Sequence, residues 1–90
     1  MIEYGCIVMA KSGHDKGSCF VVVGQESEQY VYIANGKQRP LENPKLKNVK
    51  HIEVIQNAQK FKAQGDPTNK QIRRFLSAYN QPLMGGLING

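Results

Sequence analysis

The sequence predicts a mainly β domain: a small barrel of four or five short strands, followed by one C-terminal α-helix. Three observations carry that expectation. Residues 18–23 (SCFVVV) are dominated by β-branched and aromatic side chains, which crowd a helix but suit a pleated surface. Asn35-Gly36 follows an alternating apolar segment, and this dipeptide favours the tight turn of a hairpin. Beyond residue 66 the apolar period lengthens from two residues to about 3.6, the repeat of a helix.

Taken in order, residues 2–10 (IEYGCIVMA) read as a strand interrupted at Gly5, and residues 18–23 as a second strand. A type I′ turn at Asn35-Gly36, with φ > 0 at both central residues, would join Gln29–Ala34 to the segment from Lys37. Pro40 and Pro44 argue against a continuous central strand there. The last strand is expected over Val49–Ile55, with Val49 on a different face from Ile52 and Val54. Short strands joined by tight turns can close into a barrel, which removes their exposed edges without needing helices.

Residues 59–80 read as a polar linker and an amphipathic helix, with Ile72, Phe75, Leu76 and Tyr79 on one face. Two start signals compete, Asp66 with Pro67 at the first helical position, or Thr68 with Gln71 as a capping box. Residues 81–90 (QPLMGGLING) carry glycines and a proline among apolar side chains and read as a flexible tail that docks when a partner is present. The expected division is therefore 1–58, 59–80 and 81–90.

Ninety residues make one small domain with a modest core and little room for an enclosed reaction site. Twelve Lys and Arg against seven Asp and Glu leave a net charge of +5, the footprint of a polyanionic partner. Cys6 and Cys19 lie in apolar runs without C-x-x-C spacing, so they read as buried, reduced thiols rather than metal ligands. His14 and His51 complete no recognisable metal-ligand pattern with them. The start MIEYGCIV lacks a basic leader and no apolar run has transmembrane length, so a cytoplasmic protein without membrane contact is expected.

The stretch Gly13-His14-Asp15-Lys16-Gly17 is the one place that invites a catalytic reading. A phosphate-binding P-loop needs four residues between its glycines, then Lys and Ser or Thr, then a helix. Here three residues separate the glycines, Ser18 follows Gly17 directly, and a strand pattern comes next. Ser12, His14 and Asp15 share one turn and cannot line up as nucleophile, base and orienting acid. No pair of carboxylates suggests acid–base work. Neither an enzyme nor a cofactor is expected.

The pattern YGCIVMAKSGHDKGSCFVVV resembles a KOW motif, in which alternating apolar residues surround a glycine between two strands, Gly17 in this chain. The later stretch NGKQRPLENPKLKNVKHIEV is similar to the second half of small KOW-domain RNA-binding proteins related to a large-subunit ribosomal protein family. There a basic N-x-K-H-hydrophobic segment precedes the closing strand, and Asn48, Lys50, His51 and Ile52 match it. The resemblance covers roughly residues 2–55. It implies an SH3-like barrel, binding of structured or ribosomal RNA, and a place near the ribosome or in translation.

The residues themselves point the same way. A small barrel spends its strands on the core and offers its loops to partners. The basic side chains cluster there: Lys11, His14 and Lys16 in the first turn, Lys37 and Arg39 after the Asn-Gly pair, then Lys45, Lys47, Lys50 and His51. With Asn48 from the resemblance, these are the expected RNA-binding residues, and Gly17 is the expected structural one. The bland alternative is that the lysines only solubilise the domain and discourage edge pairing. Tyr30 and Tyr32 alternate with Val31 and Ile33, so either pair could face the core, and outward tyrosines could stack on unpaired bases. A rival function is a protein-interaction module of the same architecture, docking on a ribosomal or transcription protein through the C-terminal helix or PLMGGLI.

Overall fold

A computed structural model describes residues 2–57 and 67–79. Strands β1 (Ile7–Ala10), β2 (Cys19–Gln25), β3 (Tyr30–Ala34), β4 (Lys45–Asn48) and β5 (Ile52–Gln56) form one five-stranded sheet in the order β4-β3-β2-β1-β5. Every pairing is antiparallel. Helix α1 (Asn69–Leu76) follows. The domain is thus mainly β with one C-terminal helix.

The sheet is open, with β4 and β5 as its edges. This corrects the expectation of full closure, yet the chain forces strong curvature. A flat five-stranded sheet would hold its edges about 19 Å apart, four spacings of roughly 4.8 Å. Here one 3₁₀ turn, Val49–His51, carries the chain from one edge strand to the other. Even fully extended, the steps from Asn48 to Ile52 span no more than about 15 Å, and in 3₁₀ geometry only about 8 Å. The edges must therefore curl toward each other. Two breaks in register, between Ile7 and Val8 against β5 and between Val22 and Gly24 against β3, supply the local bends that such curling needs.

The centre of the sheet is buried on both sides. On the inner side Cys6, Val8, Ala10, Phe20, Val22, Val31, Ile33 and Ile52 form one cluster, with Ile2 and Val49 at its margin. On the outer side Ile7, Cys19, Val21 and Ala34 meet Ile72 and Leu76 of α1, with Met9, Val23, Leu41 and Phe75 alongside. Strand β2 feeds both clusters, which accounts for its unbroken apolar run, since a strand wet on one face would alternate. Fully burying a side chain such as Phe20 or Ile7 contributes roughly 1.5–3 kcal/mol relative to leaving it exposed.

Thr68 caps α1 in a reciprocal capping box. Its Oγ1 accepts from the Gln71 N–H at 3.1 Å, and the Gln71 Oε1 accepts from the Thr68 N–H at 2.9 Å. Of the two start signals this is the one used.

The segment after β3 departs most from expectation. Asn35 does not adopt positive φ, so no type I′ turn forms; Gly36 alone does, at +79°. The Asn35 side chain instead accepts from the N–H groups of Lys37 and Arg39, at 2.9 and 3.0 Å. That Asx-type arrangement opens a loop over residues 35–44 rather than a two-residue hairpin. Strand β4 begins only after Pro44, so Lys45 and Lys47 lie in a strand and not in a turn. The last strand starts at Ile52 rather than Val49, which belongs to the 3₁₀ turn. Val54, expected beside Ile52, is exposed on the edge strand. The boundary at residue 58 and the tail 81–90 lie outside the described residues.

Candidate nucleic-acid interface

The first loop is shaped by its glycines and by hydrogen bonds at its neck. Gly17 donates to the Ala10 carbonyl at 2.9 Å, and Ala10 donates to Ser18 at 3.0 Å, closing residues 11–16 as a protrusion beyond β1 and β2. Gly13 and Gly17 sit at φ +83° and +89°, a region costly for residues with a Cβ. Nothing lies within 4 Å of where a Cβ on Gly17 would stand, so its requirement is conformational and not one of packing. Lys11, His14 and Lys16 are exposed on this loop.

Strand register then decides which side chains of β4 meet it. Ile33 pairs with Lys45 and Val31 with Lys47, so both lysines lie on the inner side of the edge strand. From there the Lys45 Nζ donates to the Asp15 Oδ2 at 2.8 Å, and the Lys47 Nζ donates to the Ser12 carbonyl at 3.4 Å. The Lys11 N–H donates to the His51 carbonyl at 2.7 Å. Three contacts from separate positions thus join the first loop to β4 and to the 3₁₀ turn. Lys11, His14, Lys16, Lys45, Lys47, Lys50 and His51 accordingly belong to one continuous edge of the domain.

Asn48 holds this edge in shape. Its Oδ1 accepts from the Lys50 N–H at 3.0 Å and so caps the 3₁₀ turn. The cap leaves Lys50 and His51 exposed while Ile52 enters the core. The N-x-K-H-hydrophobic pattern therefore has a mechanical reading here: cap, two presented cationic or titratable side chains, then the anchor. Arg39 joins the group from the loop 35–44, near enough to act on Asp15 electrostatically. Lys37 is exposed in the same loop, and the contacts linking the first loop to β4 do not include it.

Asp15 is the member that sequence reasoning passed over. The hydrogen bond from Lys45 holds its carboxyl below the usual carboxylate range, with the charges of Lys45, Lys47 and Arg39 acting in the same sense and burial opposing them. An open cleft lies beside it, lined by His14, Ser18, Asn35, Gln38, Arg39 and Lys45. The only hint in the sequence is a lone carboxylate inside a basic loop.

The tyrosines settle on the outer side. Tyr30 pairs with Asn48 and Tyr32 with Leu46, opposite in sense to the fully buried Val31 and Ile33. Tyr30 is 37% exposed and Leu46 45%, so the outer flank of β3 and β4 offers aromatic and aliphatic surface. Cys6 and Cys19 belong to clusters on opposite sides of the sheet and cannot share a metal ion. Burial pushes the Cys19 thiol up.

Among the described residues no helix is long and apolar enough to cross a membrane. No family model matches the chain, and no curated protein matches it.

Proposed function

We propose that this chain is a non-enzymatic RNA-binding domain of the SH3-like, KOW-type class, acting on structured or ribosomal RNA in the cytoplasm. The supporting architectural features are the strand order β4-β3-β2-β1-β5 and the 3₁₀ turn that links its two edges. The observation that carries the reading is the meeting of the first loop, β4 and the 3₁₀ turn along one cationic edge. Lysines spaced along an edge neutralise successive phosphates, and exposed glycine backbone permits close approach. Binding then follows the shape of the RNA backbone more than its base sequence.

A binding titration against structured and unstructured RNA at several salt concentrations tests this. Affinity should fall steeply with salt and favour the structured RNA. Affinity that hardly responds to salt would remove the reading.

A second reading, a protein-interaction module, draws support from Tyr30 and Leu46, the exposed outer flank of β3 and β4. Docking through the helix is the weaker form of it, since Ile72 and Leu76 are already buried against the domain's own sheet.

A further inference from the structure

We propose that the cleft between the first loop and β4 is a phosphate subsite in which Asp15 stands in for an RNA phosphate, so that RNA binds there by displacing the Asp15 carboxylate from Lys45. The inference rests on the RNA-binding reading and deepens it. A carboxylate and a phosphodiester offer a lysine the same thing, a pair of anionic oxygens at hydrogen-bond distance. The Lys45 Nζ already holds one such oxygen at 2.8 Å.

Charge balance separates this from an ordinary surface ion pair. Lys45, Lys47 and Arg39 all act on the one carboxylate of Asp15, an excess of cations that a purely structural pair does not need. His14, Ser18 and Asn35 line the same cleft and add polar groups around it.

The carboxylate is also easily displaced. The Lys45 and Asp15 side chains remain 27% and 34% exposed, and ion pairs of that exposure are weak. The loop does not depend on it. The Asp15 carbonyl accepts from Ser18, Gly17 donates to Ala10, and Lys47 reaches the Ser12 carbonyl, none of which uses the Asp15 side chain.

The test compares the full chain with Asp15→Asn, Asp15→Ser and Glu26→Gln. Serine is included because asparagine can still accept from Lys45. Glu26 lies in the turn before β3, at the end of that strand away from the cleft, so its variant removes the same charge elsewhere. Both Asp15 variants should bind structured RNA about 3–10-fold more tightly at low salt, with the gain shrinking as salt screens it. Glu26→Gln should stay close to the parent chain. In parallel, inorganic pyrophosphate should shift the backbone amide resonances of Gly13–Ser18, more strongly in Asp15→Ser than in the parent.

Salt-dependent RNA binding that the Asp15 variants do not tighten would overturn the subsite and leave the RNA reading intact. An equal gain in Glu26→Gln would also overturn it, as a mere effect of net charge. A chain that binds no RNA would remove the RNA reading, and pyrophosphate then decides alone: no shifts in that loop overturn the subsite.

Discussion

Arg73 donates from its Nη1 to the carbonyl of Gly36 at 2.7 Å, fastening the C-terminal helix to the loop that follows β3. Asn69, one turn earlier on the helix, continues the clamp. Its Oδ1 accepts from the Leu41 N–H at 2.8 Å, and its Nδ2 donates to Glu42 at 2.9 Å. The bond from Asn69 also holds the Glu42 carboxyl below its ordinary range. The helix therefore covers the centre of the sheet's outer face and also fixes the loop that carries Lys37 and Arg39.

Gly36 is where this clamp is most sensitive. A Cβ there would stand 2.5 Å from the Asn69 carbonyl oxygen and 2.9 Å from the Arg73 Cγ, on a residue at φ +79°. Left-handed backbone costs a residue with a Cβ about 1–2 kcal/mol, and the clash adds a displacement of the helix. Gly36→Ala should lower unfolding free energy by about 2–4 kcal/mol in a denaturant titration. Arg73→Ala, which loses one hydrogen bond, should cost only about 0.5–1.5 kcal/mol.

Gly17 offers the contrasting case of strain without crowding. With φ at +89° and nothing within 4 Å of an added Cβ, Gly17→Ala should destabilise by about 1–2 kcal/mol from backbone conformation alone. Gly17→Val should cost about 1–3 kcal/mol. An unchanged melting temperature in both would mean that the loop relaxes to another conformation, and the KOW-like role of this glycine would go with it.

The helix should behave as part of the core. Ile72 is wholly buried and Leu76 2% exposed, both against Ile7, Cys19, Val21 and Ala34. Replacing either with Ala should cost about 2–4 kcal/mol. A chain ending at residue 57 retains the strands but bares that apolar face, so it should keep a β signature in circular dichroism, melt earlier and self-associate. A truncated chain as stable as the parent and no more self-associated would make the helix an appendage.

How much of this could be read from residues alone follows from the range of the forces involved. Local propensity placed β2 and β3 within two residues, but β1 begins only at Ile7, after a turn at Tyr4-Gly5, and not at Ile2; the capping box of α1 is a contact between Thr68 and Gln71 close in sequence. The Asn-Gly pair misleads because its conformation is decided from afar, by the helix against Gly36 and by Asn35 bonding its own loop. KLKN does not resemble a strand because its lysines face inward only at the rim, where they reach the first loop instead of entering the core. The cations of the candidate site were legible as charge in loops. Their arrangement around Asp15 was not, since the pair with Lys45 spans thirty positions of sequence.

That pair should leave a small mark on acid stability. The carboxyl of Asp15 lies below its ordinary value of 3.8 in the folded chain, so the folded state holds its proton less tightly than the unfolded one. The pair therefore stabilises the fold above the unfolded value, and this contribution is lost as pH falls through the folded one. Because both side chains are about a third exposed, the loss should stay below about 1 kcal/mol. Denaturant titrations at neutral pH and near pH 3 should give a smaller difference for Asp15→Asn than for the parent chain.

The cationic edge can be tested without touching any side chain that shapes the fold. Lys16 and Lys50 are exposed, one on the first loop and one in the 3₁₀ turn, and their side chains hold no element in place. Replacing both with Gln should leave the melting temperature nearly unchanged, because exposed charges contribute little to stability. If both meet phosphates, the slope of log K against log salt should flatten by roughly 0.7–0.9 per lost contact. Because the two residues stand on separate elements, each single variant should produce about half of the double variant's change. The measurement is a titration of a structured RNA across several salt concentrations, with the double variant and each single one. Wild-type affinity and slope in the double variant would mean that these lysines are only solvated surface, and the protein-contact reading on the Tyr30 and Leu46 flank would then lead.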